Sequence, residues 1–162
     1  MKDWFRVNSQ GKYEIEQAVV MDWFVADNTE AFYADGVSGY STEFKKVIYP
    51  ALNKLDDQGF DWTPFDSDKN GRLDSVVIMH SGISAVAAIE DCYEVGQADR
   101  IWPHAFSASL SYNTWTSEDG SVFLSGYTVT SVFDGDCDDV DRPLTPGLTL
   151  HEYMHTMNLI DL

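Results

Sequence analysis

Between Ser41 and Asp56 the apolar residues Phe44, Val47, Ile48, Ala51, Leu52 and Leu55 recur at helical spacing, with Lys45, Lys46, Asn53 and Lys54 elsewhere. Ser41 or Thr42 can cap the start of this helix, and Pro50 is expected to kink it or split it. Val76-Val77-Ile78-Met79 is a continuous apolar run that reads as a buried strand, ended by His80. Ser121 to Phe133, rich in β-branched and aromatic residues, predicts one or two strands with Gly126 at a bulge or bend. At the start, Asp3 to Asn8 leads into the turn cluster Asn8-Ser9-Gln10-Gly11, and Tyr13-Glu14-Ile15-Glu16 with Val19-Val20 alternates as a strand does. A last helix spans Leu148 to Met157, with Thr145 as its cap and Pro146 in its first turn. The pattern predicts an α/β (α+β) domain in which the long helix and the terminal helix pack on a mixed, twisted sheet. No repeats, low-complexity tracts or linkers interrupt it.

The terminal helix carries chemistry. His151 and His155 lie four residues apart, so both imidazoles can reach one zinc ion, and Glu152 sits beside that face, where its carboxylate can hold a water without binding the metal. This is the H-E-x-x-H pattern of zincins. A catalytic zinc usually takes three protein ligands, and Asp161 is the candidate for the third. Six residues past His155 is too far round a continuing helix, so the chain must reverse; Asn158, tolerant of the left-handed conformation, is the expected turn. An amphipathic helix with two surface histidines is the plain alternative.

Asp66, Asp68, Asn70 and Asp74 fall at positions one, three, five and nine of a calcium loop, with the Arg72 backbone carbonyl at seven and Gly71 at the sharp turn. An EF-hand would place glutamate at position twelve; here Val77 stands there, so the loop runs into a strand. An Asx-rich turn without metal is the competing reading. Asp134, Asp136, Asp138, Asp139 and Asp141 could hold a second calcium, though a solvated acidic loop explains them better.

His80 and His104, the latter in Ile101-Trp102-Pro103-His104, could each be a zinc ligand or an oxyanion donor. Lone histidines at strand ends are more often structural, and the zinc set is complete without them. The G-x-S-x-G elbow of serine hydrolases is absent.

Composition narrows the setting. The 162 residues, 44% apolar and 14% aromatic, suit one domain with a real core. A net charge of −17, from 27 acidic against 10 basic residues, disfavours nucleic acid and anionic membranes and favours cations or a saline extracellular medium. No run is long enough to span a bilayer, and no export signal opens the chain. Cys92 and Cys137 read equally as free thiols or as a bridge adding about 4 kcal/mol.

In that order, Phe65-Asp66 through His80-Ser81-Gly82, Ile101-Trp102-Pro103-His104, and His151 through Leu162 resemble the secreted immune inhibitor A-like metalloproteases of the metzincin clan. The opening Asp3-Trp4-Phe5-Arg6 with Ser9-x-Gly11-Lys12-Tyr13 is similar to the start of their catalytic domain. The resemblance implies zinc ligands His151, His155 and Asp161, catalytic Glu152, calcium at Asp66, Asp68, Asn70 and Asp74, and an extracellular protease made as a proenzyme. Against the family pattern H-E-F-G-H-x-x-G-L-P-D-L-Y, Met154, Asn158 and Ile160 replace two glycines and the proline. Residues 1–162 are then the N-terminal portion of a catalytic domain, without the propeptide, the methionine turn or the C-terminal subdomain.

The expectation is a zinc endopeptidase, a monomeric enzyme of the extracellular space acting on protein or peptide substrates, in which Glu152 activates water. The rival is a calcium-organised binding or adhesion module whose zinc site is vestigial or truncated.

Overall fold

Thr128, Val129, Thr130 and Ser131 are fully buried, and the strand that contains them holds the molecule together. In the computed structural model, which describes residues 2–16, 18–86, 90–107, 114–134, 138–139, 142–157 and 159, that strand is β3, Gly126–Phe133. The other elements are α1 (Lys2–Asn8), α2 (Glu30–Ala34), α3 (Lys45–Asp57), β1 (Val77–Ile83), β2 (His104–Ser107) and α4 (Pro146–His155), joined by short 3-10 turns. β3 pairs with β1 in parallel and with β2 antiparallel, giving a mixed sheet of order β1-β3-β2. The β-branched residues of β3 suit this doubly paired position.

Alternate residues of a strand face opposite sides, so the sheet separates two layers. On one side Ile48 and Leu52 of α3 pack with Val129, Tyr127 and Ile78 in the larger core cluster. On the other, Leu150 and Tyr153 of α4 pack with Val77 and with Phe5 of α1, while the Thr149 hydroxyl donates to Thr130 Oγ1 at 3.4 Å. Tyr13 closes this second cluster, its hydroxyl 3.1 Å from that of Tyr153. The terminal helix is thus clamped between the sheet and the N-terminal segment.

Several expectations need correction. The long helix begins as a 3-10 turn, Thr42–Phe44, capped by Ser41, and α3 then continues through Pro50 instead of splitting there. Pro50 lacks an N–H for the helix ladder and crowds the preceding turn, and burial of Ile48 and Leu52 on either side of it offsets that cost. β1 does not end at His80; it runs to Ile83, with a register shift between those two residues. Nor is it a buried strand: it lies at the sheet edge, and Met79 is 50% exposed. Gly126 begins β3 rather than bending it. Tyr13 and Ile15 turn inward with Glu14 and Glu16 outward, as the alternation required, yet the segment joins no described sheet, and Val20 and Val25 are largely exposed. Alternation fixes which face is buried but cannot supply a partner strand. α4 has Thr145 at its cap position and Pro146 in its first turn, as expected, but Thr145 makes no side-chain capping bond and the helix ends at His155, two residues before Met157.

Cys92 is disulfide-bonded, whereas Cys137 lies outside the described residues. No helix among the described residues is long and apolar enough to cross a membrane.

A charged network ties α2 to β1. Glu30 accepts from Arg100 Nη1 at 2.7 Å and from the Ile101 amide at 3.2 Å, and Arg100 also pairs with Asp91. A side chain at Gly82 would bring its Cβ within 2.7 Å of the Glu30 carboxyl carbon, so glycine is what permits this approach. His80 Nδ1 accepts the Gly82 N–H at 3.2 Å and lies 3.6 Å from Glu30. Burial, then the charges of Arg100 and His104, push the His80 imidazole down from 6.5 to about 4 despite that carboxylate. The unfolded chain therefore takes up this proton more readily. The corresponding stability is fully present above pH 6.5 and is lost as the pH falls towards 4. A shift of this size is worth about 3 kcal/mol. Thermal melts across that range should show the loss, and His80→Gln should flatten it; an identical slope in the variant would assign the acid sensitivity to other groups.

Candidate functional site

α4 presents its chemistry through the way it is seated. Thr149, Leu150, Glu152 and Tyr153 are buried, whereas His151 is exposed and His155 is half-buried in the last turn. The two imidazoles meet edge to face, centroids 4.8 Å apart at 86°. Ligand atoms of His151, Glu152 and His155 all lie within 4.8 Å of one another, so the spacing of the motif becomes a spatial cluster.

The donor set suits a zinc ion. His155 Nδ1 lies 2.8 Å from the Leu159 carbonyl oxygen. A carbonyl only accepts, so Nδ1 carries the proton and Nε2 bears the lone pair, the tautomer that a metal-binding histidine held by a backbone oxygen adopts. Leu159 also takes part in closing the helix. Leu159 N–H returns to Met154 O at 3.3 Å, a six-to-one bond of the kind that closes a helix and turns the chain back. Asn158 and Asp161 themselves lie outside the described residues.

The cluster opens into a cleft of about 700 Å³. Leu148, His151, Glu152 and His155 contribute from α4; Trp102, Pro103, His104 and Ala105 contribute from the segment entering β2, together with Tyr40 and Val86. His104, read from sequence as structural, is both structural and in the cleft. Its ring is buried, packed against Tyr40 at 4.6 Å, Tyr127 at 5.7 Å and Phe44 at 5.8 Å. Nδ1 donates to the Trp102 carbonyl at 2.7 Å, and burial pushes the imidazole below the usual histidine range. Nε2 is buried without a hydrogen-bond partner. His80 does not line this cleft; it belongs to the Glu30 network. Tyr40 was not foreseen at all, since a tyrosine between Gly39 and Ser41 has no pattern to mark it.

The second predicted site also assembles. Carboxylate oxygens of Asp66, Asp68 and Asp74 lie within 4.8 Å of one another. Asp66 is oriented by the amides of Asn70 and Gly71, both at 2.9 Å, and Asp74 by the amide of Ser67 at 3.0 Å. Lys69 and Gly71 take positive φ, which lets the loop curl round its carboxylates. Asn70 Oδ1 accepts the Arg72 amide at 2.8 Å, and its Nδ2 donates to Asp68. The loop is anchored by the Phe123 amide to Gly71 O at 2.8 Å and the Leu73 amide to Phe123 O at 3.0 Å. These residues could hold a hard cation.

In the acidic loop before α4, Asp134 pairs with Arg142, and Asp138 and Asp139 are exposed. No metal-holding group involves them among the described residues; Asp136 and Asp141 lie outside those residues. No protein-family model matches the chain, and no curated protein matches it significantly in sequence.

Proposed function

We propose that this chain belongs to the catalytic domain of a zinc-dependent endopeptidase, built on a metzincin-like plan and similar to the immune inhibitor A-like secreted metalloproteases. The observation that carries the reading is the convergence of His151, Glu152 and His155 in one open cleft, with the His155 tautomer set for metal binding. His151, His155 and Asp161 would hold the metal. Bound zinc supplies a Lewis acid that polarises a scissile carbonyl and acidifies water.

The rest is done by the chain's own groups. Glu152, buried among α4's packing residues yet lining the cleft, takes a proton from the attacking water as the new C–O bond forms. It returns that proton to the amine nitrogen as the C–N bond breaks, so one carboxylate serves both halves of the hydrolysis. Trp102, Pro103, Val86 and Leu148 give the cleft apolar surface against which peptide side chains can lie. The disulfide at Cys92 and the charge of −17 support an extracellular setting. Calcium at Asp66, Asp68, Asn70, Asp74 and the Arg72 carbonyl belongs to the same proposal, because three clustered carboxylates repel one another until a cation joins them.

Calcium is therefore expected to raise the thermal midpoint and a chelator to lower it, by about 3 kcal/mol at a hundredfold excess over the dissociation constant. Asp68→Ala should erase the difference, and equal midpoints in the unsubstituted protein would remove calcium from the loop. For the zinc site, Glu152→Gln should abolish cleavage of casein while keeping the metal, because Glu152 acts on water and is no ligand. Asp161→Ala should lose most of the zinc affinity against a competing chelator, whereas Asp141→Ala should not. Retained proteolysis in Glu152→Gln would sink the mechanism, and zinc loss in it would make Glu152 a ligand instead.

A further inference from the structure

The wall of the cleft built from outside α4 carries a donor. Tyr40 lines the cleft together with His151, Glu152 and His155, and its ring lies over the His104 imidazole, centroids 4.6 Å apart and planes tilted by 32°. The ring is 58% exposed, so a ligand in the cleft can reach its edge.

Its loop is tightly pinned. Gly39 N–H donates to Ala34 O at 2.9 Å, Trp102 N–H to Ser38 O at 2.9 Å, and the Ser38 hydroxyl to Gln97 O at 2.9 Å. Gly39 has φ +84°, and a Cβ there would come within 3.1 Å of Ile101 Cδ1, so the turn beneath Tyr40 needs glycine. His104 is held in turn by Trp102, as described above. A rigid turn below and a fixed aromatic plane behind preset the phenol before anything binds.

Peptide hydrolysis at Glu152 leaves one charge to be accounted for. As the water oxygen bonds to the carbonyl carbon, the C=O π pair moves onto oxygen, and that oxygen needs hydrogen-bond donors. Glu152 is an acceptor. Neutral His104 has used its N–H on Trp102 and offers only a lone pair at Nε2. Among the described residues that line the cleft, the side chains that can donate, beyond the two histidines of the motif, are the Tyr40 phenol and the Trp102 indole. Burial and then the charge of Glu152 raise the Tyr40 phenol above its ordinary value, so it keeps its proton and lies within the electrostatic reach of that carboxylate.

The geometry points to Tyr40 as a catalytic residue of this site: its O–H donates to the scissile carbonyl oxygen as negative charge gathers there, with His104 as the positioning residue behind it. The phenol proton is not transferred; Glu152 alone moves protons. The inference rests on the zinc-peptidase reading and adds to it the oxyanion donor.

Tyr40→Phe keeps the ring and its stacking while deleting the donor. The expected result is a fall of about a hundredfold in kcat with KM within about twofold, and with zinc content and thermal midpoint unchanged. Calorimetry gives a readout without turnover. The affinity for a phosphinic peptide, whose tetrahedral anionic centre resembles the charged intermediate, should fall about tenfold or more, while binding of the matching amide peptide in a Glu152→Gln background stays the same. His104→Leu should lower kcat when the Tyr40 hydroxyl is present and have no further effect in Tyr40→Phe, the non-additivity of a positioning residue. Unchanged kcat and phosphinic affinity in Tyr40→Phe overturn the assignment, as does a loss that follows Trp102→Phe instead. If the unsubstituted protein cleaves no peptide, the zinc-peptidase reading falls and takes this one with it; if it cleaves and Tyr40→Phe is indifferent, only the role of Tyr40 falls.

Discussion

The seating of α4 on β3 is the contact on which the candidate chemistry depends. Successive helical residues are about 100° apart, so a modest roll of this helix would swing both imidazoles away from the cleft. The roll is set by what lies beneath: Leu150 and Tyr153 against Val77 and Phe5, and Thr149 against Thr130. Burying each large side chain contributes about 1.5 to 3 kcal/mol, and the Tyr13–Tyr153 hydroxyl contact adds a polar latch. Apolar packing, rather than metal binding, orients His151 and His155. Zinc would meet ligands already turned towards it.

Charge is the opposing constraint. With 27 acidic residues against 10 basic, the chain has few cations to place, and Arg100 is placed where two carboxylates are shielded from solvent. Arg100 serves both Glu30 and Asp91. At the loop of Asp66, Asp68 and Asp74 no basic side chain pairs with the cluster among the described residues, and backbone amides carry the carboxylates. The loop is joined to the sheet beside it: Arg72 bridges Phe123, just before β3, and Val76, which leads into β1, accepts the Thr128 amide of β3. That connection is why a cation at the loop should be felt in global stability and not merely locally.

What the sequence disclosed follows a physical division. Helical spacing made α3 and the histidine-bearing face of α4 legible, because contacts four residues apart are local and survive any tertiary arrangement. The calcium-type loop was legible for the same reason: its ligands sit within nine consecutive residues, Asp66 to Asp74. Sheet order was not. That β1 takes an edge and extends past His80 is decided by pairing with β3, some fifty residues away, and an apolar run such as Val76 to Met79 says nothing about its partner. The alternation at Tyr13 to Glu16 misled in the same way, since it reported a buried face that proved to belong to α1 and α4 instead of a strand neighbour.

The cleft shows how far this division reaches into function. One wall is α4, written as a single short motif; the other is assembled from Tyr40, Val86 and Trp102 to Ala105, which meet only because the Ser38 carbonyl accepts the Trp102 amide and the Tyr40 ring lies on His104. A motif can state that a metal and a general base are present, because their relation is fixed by one helical turn. It cannot state what faces them. Stabilisation of a developing charge requires a donor on the far side of the reacting carbon from the base, and hence from a different segment of chain. In this molecule that segment precedes the motif by more than a hundred residues, from Tyr40 to His151. The half of the site that would set rate and selectivity is therefore specified by long-range packing, and only coordinates bring it into view.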